Sequence, residues 1–447
     1  MDIATLASEN EVDEAPSAIS MLELSEMLSA RTYLADKAPG SEPSTKLVAE
    51  CREDWNRLNA SLCSERRPTE GALVVARGPA VEKKPTAGPF VGFAIVERAE
   101  TVEGAEECAV DAARQMSRLL ATDLQFASFE PVCERERLES VVAFVESSSG
   151  VELRRRTVRM EVTDGNDPHG ESKIGFVRSG EDARESTDEE DEDVEVLCPW
   201  KPSIDPWVRL FESLESEPGT AGLVVRFRGL DVAPEEARLR AGRELARAER
   251  LKEEYGGQSA GSTVSTGRLQ RAIERTDEFV SALDGSVMAQ RVSVVRAEGE
   301  VSDALVQTVG SSIDQHTGGF ESETAPLAGG FEEQTIESVD LFGELSVRGP
   351  RDLFSPRAAG AALRLPMPPR GGCTTGLNVR RGSTPRRIRP RTAPVSISVA
   401  PVPWRRTTSI WVTKTGFATP TWSARLALGN RHSWDGWHCR TSAAAEE

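Results

Sequence analysis

Residues 221–255 read AGLVVRFRGLDVAPEEARLRAGRELARAERLKEEY. Gly222–Phe227 is a short run rich in β-branched and aromatic residues, which predicts a strand. Asp231 and Pro234 then stand where a helix begins. The fixed φ of proline suits the first turn, and Glu235 and Glu236 behind it lie at the positive end of the helix dipole. Ala237, Ala241, Leu245, Ala248, Leu251 and Tyr255 recur at helical spacing and make one apolar seam. After a Gly/Ser break at 256–266, Leu269, Ile273, Thr276, Phe279, Val280 and Leu283 make a second. Two amphipathic helices with a short break between them predict an antiparallel hairpin lying on a sheet. The fold class that follows is α+β, several small strand and helix blocks with a helical hairpin on a sheet.

Outward from this stretch the pattern continues. Pro206–Ser216 reads as a helix, Gln290, Val292 and Val294 as a strand, and Val301, Leu305, Val309 and Ile313 as the next helix. Upstream, Ala72–Ala76 and Val91–Val96 read as strands and Ala105–Ala121 as a helix with Cys108, Ala112, Met116, Leu119 and Leu120 on one stripe. Leu22, Leu24, Met27 and Leu28 suggest a short helix. Val151–Val162 is expected as one strand with Lys173–Arg178 as its hairpin partner. The oxygen-rich Asp164–Gly170 between them misses the calcium-loop spacing and reads as a turn. Glu181–Glu195 is nearly all acidic and has nothing to bury, so it reads as a solvated linker. His316–Gln334 reads as a surface loop. Arg364–Gly372, with three prolines, cannot continue a helix or central strand. The resulting division is 1–125 an N-terminal α+β region, 126–180 strand-rich, 181–198 linker, 199–315 an α+β domain with the hairpin, 316–372 a loop-rich lead-in, and 373–447 an irregular tail.

Charge marks the tail off most sharply. The 447 residues carry 54 basic and 72 acidic side chains. Residues 371–447 hold 12 of the basic and 3 of the acidic (+9), leaving 42 and 69 in 1–370 (−27). No Asp or Glu occurs between Asp352 and Asp435, and five of the eight tryptophans lie in the tail, at 404, 411, 422, 434 and 437. The acidic body repels nucleic acid and anionic membranes. With 8 lysines against 46 arginines, its composition is of the kind GC-rich genomes of salt-adapted organisms encode. No apolar run reaches the about 20 residues a membrane helix needs, and the acidic start is unlike a signal peptide, so a cytoplasmic chain is expected. The seven cysteines, at 51, 63, 108, 133, 198, 373 and 439, never form C-x-x-C and support neither a zinc knuckle nor a disulfide framework.

Chemistry is sparse in the sequence. No P-loop, G-x-S-x-G, H-E-x-x-H or G-x-G-x-x-G occurs, and the four histidines, at 169, 316, 432 and 438, are scattered. No catalytic, cofactor-binding or metal-binding residue is assigned. The tail admits one site: Arg386, Arg387, Arg389 and Arg391 could grip phosphates while tryptophans stack on bases.

The order Pro206-Trp207-x-x-Leu210-x-x-x-Leu214, an Arg-ended strand at Gly222–Arg228, and a helix opening at Pro234-Glu235-Glu236 resembles the pre-motor region of HerA/FtsK-superfamily ATPases, the motors of conjugative and type IV secretion-like DNA transfer. Ala358–Gly372 is similar to the segment leading into their motor domain, and the likeness spans roughly 130–372. The resemblance implies that a strand, a Walker A loop and its helix come next, with ATP and magnesium bound in the intact relative, DNA as its substrate, and secretion or conjugation proteins, or further copies of itself, as partners at a membrane complex. Here the acid-free tail begins instead. Read in the shifted frame, the codons of Lys414–Ser433 admit an apolar strand followed by G-P-T-G-T-G-K-S, a complete Walker A motif in the strand–loop–helix context that cradles phosphates. The expectation is therefore a frameshift between Gly372 and Trp404, leaving a non-catalytic accessory region truncated before its motor. The alternative is an acidic scaffold or adaptor with a basic, nucleic-acid-binding C-terminal arm.

Overall fold

The strand expected at Gly222–Phe227 lies in the middle of a large antiparallel sheet. The computed structural model describes residues 3–8, 15–28, 43–64, 69–78, 81, 89–124, 127–163, 173–178, 194–200, 208–255, 263–314, 330–364 and 379–380. All of them belong to the first of two compact units, residues 1–384. The elements in order are β1 (Thr5–Ser8), β2 (Ser17–Leu28), α1 (Pro43–Ser64), β3 (Glu70–Arg77), β4 (Phe90–Arg98), α2 (Val102–Asp123), β5 (Ala127–Pro131), α3 (Arg135–Ser147), β6 (Ser149–Arg155), β7 (Thr157–Thr163), β8 (Lys173–Arg178) and β9 (Val194–Leu197). There follow α4 (Val208–Ser216), β10 (Ala221–Leu230), α5 (Glu235–Tyr255), α6 (Thr263–Leu283), β11 (Val287–Arg296), α7 (Asp303–Ile313), β12 (Phe331–Ile336), a 3-10 turn at Pro350–Asp352, β13 (Leu353–Phe354), α8 (Pro356–Ala359) and β14 (Val379–Arg380). The fold is α+β, as expected.

The main sheet runs β1-β2-β4-β3-β10-β11-β6-β12, with β5 and β14 also on β2 and β13 also on β11. A smaller sheet runs β8-β7-β9. The boundaries expected at 125/126 and 198/199 do not separate sheets, because β10 pairs with β3 across Ala221↔Arg77 to Arg228↔Glu70 and with β11 on its other side. Sequence blocks far apart along the chain thus supply adjacent strands.

Both faces of the main sheet are covered. On one, Leu73, Val75, Phe93, Ile95, Leu223, Val225, Phe227, Val292 and Val294 pack beneath Trp55 and Leu58 of α1, Met116 and Leu120 of α2, Leu210 and Leu214 of α4, and Leu305 and Val309 of α7. On the other, Val74, Ala94, Val224 and Val295 meet Leu138, Val141 and Val145 of α3. The hairpin of α5 and α6 has two footings. Its outer end sits on the small sheet, with Ala248, Leu251, Leu269 and Ile273 against Val158, Met160, Val194 and Val196. Its base sits on the main sheet, with Ala237, Ala241 and Leu283 against Val287 and Ala289.

Five expectations need correction. Leu22, Leu24, Met27 and Leu28 are not helical: they belong to β2, which pairs with β1, β4 and β5. These strand partners, with β14 added at Met27 and Leu28, supply ladder bonds that the local helix preference of Leu, Met and Glu cannot match. Val151–Val162 is two strands rather than one, because the chain changes sheets at Arg156, whose N–H donates to the Gly330 carbonyl at 3.3 Å and whose carbonyl accepts from Cys198 at 2.9 Å. The expected loop 316–334 ends inside a strand, β12, which adds to β6 from Phe331↔Arg155 to Ile336↔Gly150. Its phenyl ring lies against Gly310 of α7, where a Cβ would stand 2.0 Å from the Phe331 ring. Glu195, placed in the linker, is in β9. The stripe on α2 is also rotated from its expected setting and buries Ala105, Ala109, Ala113, Met116 and Leu120. The Asp164–Gly170 turn, Glu181–Asp193 and nearly all of 373–447 lie outside the described residues.

Candidate functional site

The expected nucleic-acid-binding residues Arg386, Arg387, Arg389 and Arg391 lie outside the described residues. Of the segment carrying the ATPase resemblance, Pro206 and Trp207 lie outside the described residues, while the rest falls on α4, β10 and the start of α5, with Leu210 and Leu214 buried under the main sheet. Among the described residues there is no group of three or more His, Cys, Asp or Glu placed to hold a metal ion, and no helix long and apolar enough to cross a membrane.

Two polar features stand out, and both are built from arginine. The first crosses the second face of the main sheet. Glu70 of β3 accepts from Arg98 of β4 at 2.9 Å and from Arg226 of β10 at 3.3 Å. The same carboxylate accepts from the backbone N–H of Leu345 at 2.7 Å. A strap of irregular chain, Val339–Gly349, runs over this row and is held by its guanidinium groups. Arg98 donates to the Phe342 carbonyl at 2.8 Å, Arg226 to that of Gly343, and Arg291 of β11 to that of Ser346 at 2.6 Å, while Arg228 pairs with Glu344. Burial lowers the pKa of Arg226, opposed chiefly by the charge of Glu70. At the far end Arg155 of β6 donates to the carbonyls of Pro350, Arg351 and Leu353 and stacks 4.1 Å over the ring of Phe354. Burial pulls its pKa down to about 9, so it stays cationic at neutral pH.

The second feature is a cleft of about 260 Å³ where the hairpin passes from one footing to the other. The end of β6 and start of β7 give it Arg154 and Thr157, β9 gives Glu195 and Leu197, α5 gives Arg240, Ala241 and Glu244, and α6 gives Arg275, Thr276 and Phe279. The end of the strap, Arg348 and Gly349, and the 3-10 turn Pro350–Asp352 close it. Small residues at Ala241 and Thr276 leave the space open between the helices. Five arginines face three carboxylates in a body whose overall charge is strongly negative.

The pairing is incomplete on the cationic side. Arg154 meets Glu152 at 2.6 Å, Arg240 meets Glu195 at 3.1 Å, and Arg351 meets Glu332 at 2.7 Å and also Thr157. Glu244 accepts the Glu195 N–H at 3.0 Å and meets Arg247 at 3.3 Å, yet burial holds its pKa above the ordinary carboxylate value. Asp352 is occupied by the Arg348 backbone N–H at 2.9 Å and by Arg291 at 3.7 Å. Arg348 is exposed, and among the described residues no hydrogen bond or ion pair engages its guanidinium. Such a cleft offers several charge-assisted donors to one oxyanion.

None of these residues was singled out by motif. The arginines come from five separate elements between positions 154 and 351, and only the topology gathers them. In comparisons with known proteins, no family model and no curated protein matches the chain.

Proposed function

We propose that the chain is the accessory, pre-motor region of a conjugation-type DNA-translocating ATPase, carrying no P-loop of its own in the written sequence. The observation that supports this is the order of α4, β10 and α5. Leu210, Leu214, Gly222–Arg228, Glu235 and Glu236 of the resembling pattern occupy three consecutive elements, and β10 is flanked by strands on both sides at the middle of the main sheet. In this reading ATP and magnesium belong to the intact relative, where a Walker A lysine would contact the phosphates and the next Ser or Thr the metal. The accessory body would contact secretion or conjugation proteins at the cytoplasmic side of a membrane complex. The test is to resequence the coding DNA across codons 372–404 and to express the chain with the shifted frame restored. A continuous frame through a P-loop, with ATP hydrolysis stimulated by DNA, supports the reading; a shifted frame that meets stop codons at once defeats it.

The charge reversal, −27 before residue 371 and +9 from there on, favours a second reading. It is an acidic scaffold whose arm at Arg386, Arg387, Arg389 and Arg391 grips nucleic acid. DNA affinity that falls steeply with salt and is lost on deleting 373–447 would distinguish it.

A further inference from the structure

We infer that the arginine-lined cleft beneath the α5–α6 hairpin binds a small phosphorylated ligand carrying a ring, in chemical class a nucleoside monophosphate. This does not depend on the DNA-transfer reading.

Electrostatics carries the first step. In a body of charge −27, a cationic concavity arises against the average, and this one sets five guanidinium groups against three carboxylates. One of the three, Glu244, is pushed by its surroundings toward its neutral form. Each guanidinium has five N–H donors, and the pairs formed use only some of them. Arg154 reaches Glu152 through Nε, Arg240 reaches Glu195 through one terminal nitrogen, and Arg348 has its whole fork available at the rim. A phosphomonoester dianion, with three equivalent oxygens, satisfies converging forks of this kind better than a carboxylate does.

Shape and polarity carry the second step. The remaining wall is apolar, built from Leu197, Ala241, Phe279 and Pro350, with the Phe279 ring backed by the Arg155 guanidinium 5.3 Å from its centroid. A purely inorganic anion leaves that wall unused, whereas a base or similar ring covers it. About 260 Å³ is below the usual range for drug-sized ligands, about 300 to 1,000 Å³, which selects a mononucleotide over a polymer strand. Position carries the third. The cleft lies between the hairpin's two footings, where a ligand touches α5, α6, the small sheet and the strap together.

The experiment is calorimetric titration of the full chain with AMP, GMP, CMP and UMP, and separately with inorganic phosphate and an unphosphorylated single-stranded oligonucleotide. At least one monophosphate should bind more tightly than inorganic phosphate. Arg348→Glu and Arg240→Glu should each weaken it by about tenfold or more, and Arg348→Lys should restore part of the loss. Both arginines are exposed on the surface, so the variants should keep the unfolding temperature of the parent, and the remote Arg114→Glu on α2 should change nothing. The inference is overturned if no monophosphate binds at millimolar concentration, or if binding is indifferent to Arg348 and Arg240. It is equally overturned if inorganic phosphate binds as tightly as the nucleotides, or the oligonucleotide binds at the same residues.

Discussion

The two faces of the main sheet are closed by different physics. One is covered by α1, α2, α4 and α7 mainly through apolar contacts, centred on Phe227, whose ring stands edge-on to Phe93 at 6.3 Å between centroids, with Ser20 on the Ala109 carbonyl of α2 and Arg77 on Glu215 of α4 as its polar ties. The other carries an apolar patch under α3 and another under the hairpin. Between them a strap without regular structure is held to the sheet by arginines that donate to its carbonyls. The helical face tolerates small shifts because dispersion and burial are non-directional. The strapped face does not, because Glu70 must meet two guanidiniums and a backbone N–H at once. A helix carries its own backbone hydrogen bonds, whereas a strap must borrow them from side chains, and here arginines lend them.

The comparison can be broken by matched truncations. Phe227→Ala should cost about 3–5 kcal/mol through the cavity it leaves. Glu70→Ala should cost about as much, because Arg226 would remain buried without its counter-charge. Chemical denaturation reads both; if Glu70→Ala costs under about 1 kcal/mol, the strap is held by its apolar residues and the contrast between the faces disappears. The strapped face should also show coupling that the helical face lacks. The double variant Glu70→Ala/Arg226→Ala should cost less than the sum of the singles by about 1–3 kcal/mol. A helical-face pair on separate elements, Phe227→Ala on β10 with Leu120→Ala on α2, should add within about 0.5 kcal/mol.

Smaller effects test the edges of the helical face. The side chain of Thr101 accepts the Gly104 N–H at 3.1 Å and caps α2, so Thr101→Ala should cost about 1 kcal/mol. Between α1 and α2, burial holds the pKa of Asp123 above the ordinary carboxylate value, with Ser61 and Arg57 opposing and Asp54 adding to the shift. The folded state then holds that proton more tightly than the unfolded chain, so this group's contribution to stability falls as pH rises through the window just above its unfolded pKa of about 4. Asp123→Asn should therefore raise the unfolding midpoint at pH 7 and leave it unchanged at pH 3. A midpoint lowered at pH 7 would show the carboxylate to be stabilising there.

How much of this could be read from the sequence divides along the same line. The helical face was legible because Leu223, Val225 and Phe227 alternate at period two and the seam of α7 recurs at helical spacing, and the hairpin helices α5 and α6 on the other face were legible from the same spacing. Arg226 and Arg228 occupy the intervening positions of β10, which by pattern alone look solvated. They are covered only because residues 339–349, more than a hundred positions later, fold across them. No local signal encodes that return. β2 failed for a related reason, since Leu, Met and Glu favour a helix locally and only the pairing with β1, β4 and β5 overrides them. The cleft was illegible in the same sense: its arginines share no motif and meet only through the crossing of the hairpin with the strap.

The pairing of β3 with β10 sets a timetable for synthesis. Glu70 and Arg226 are 156 residues apart, and β3 is apolar on both faces. At about 5–20 residues per second, its edge stays open on the ribosome for on the order of ten to thirty seconds. During that interval the nascent β2–β4–β3 ribbon is an unpaired template for any neighbouring strand. The strap arrives later still, so the polar row is the last part of the sheet to be covered, and a ribosome that stalls before residue 339 releases a body whose buried arginines face water.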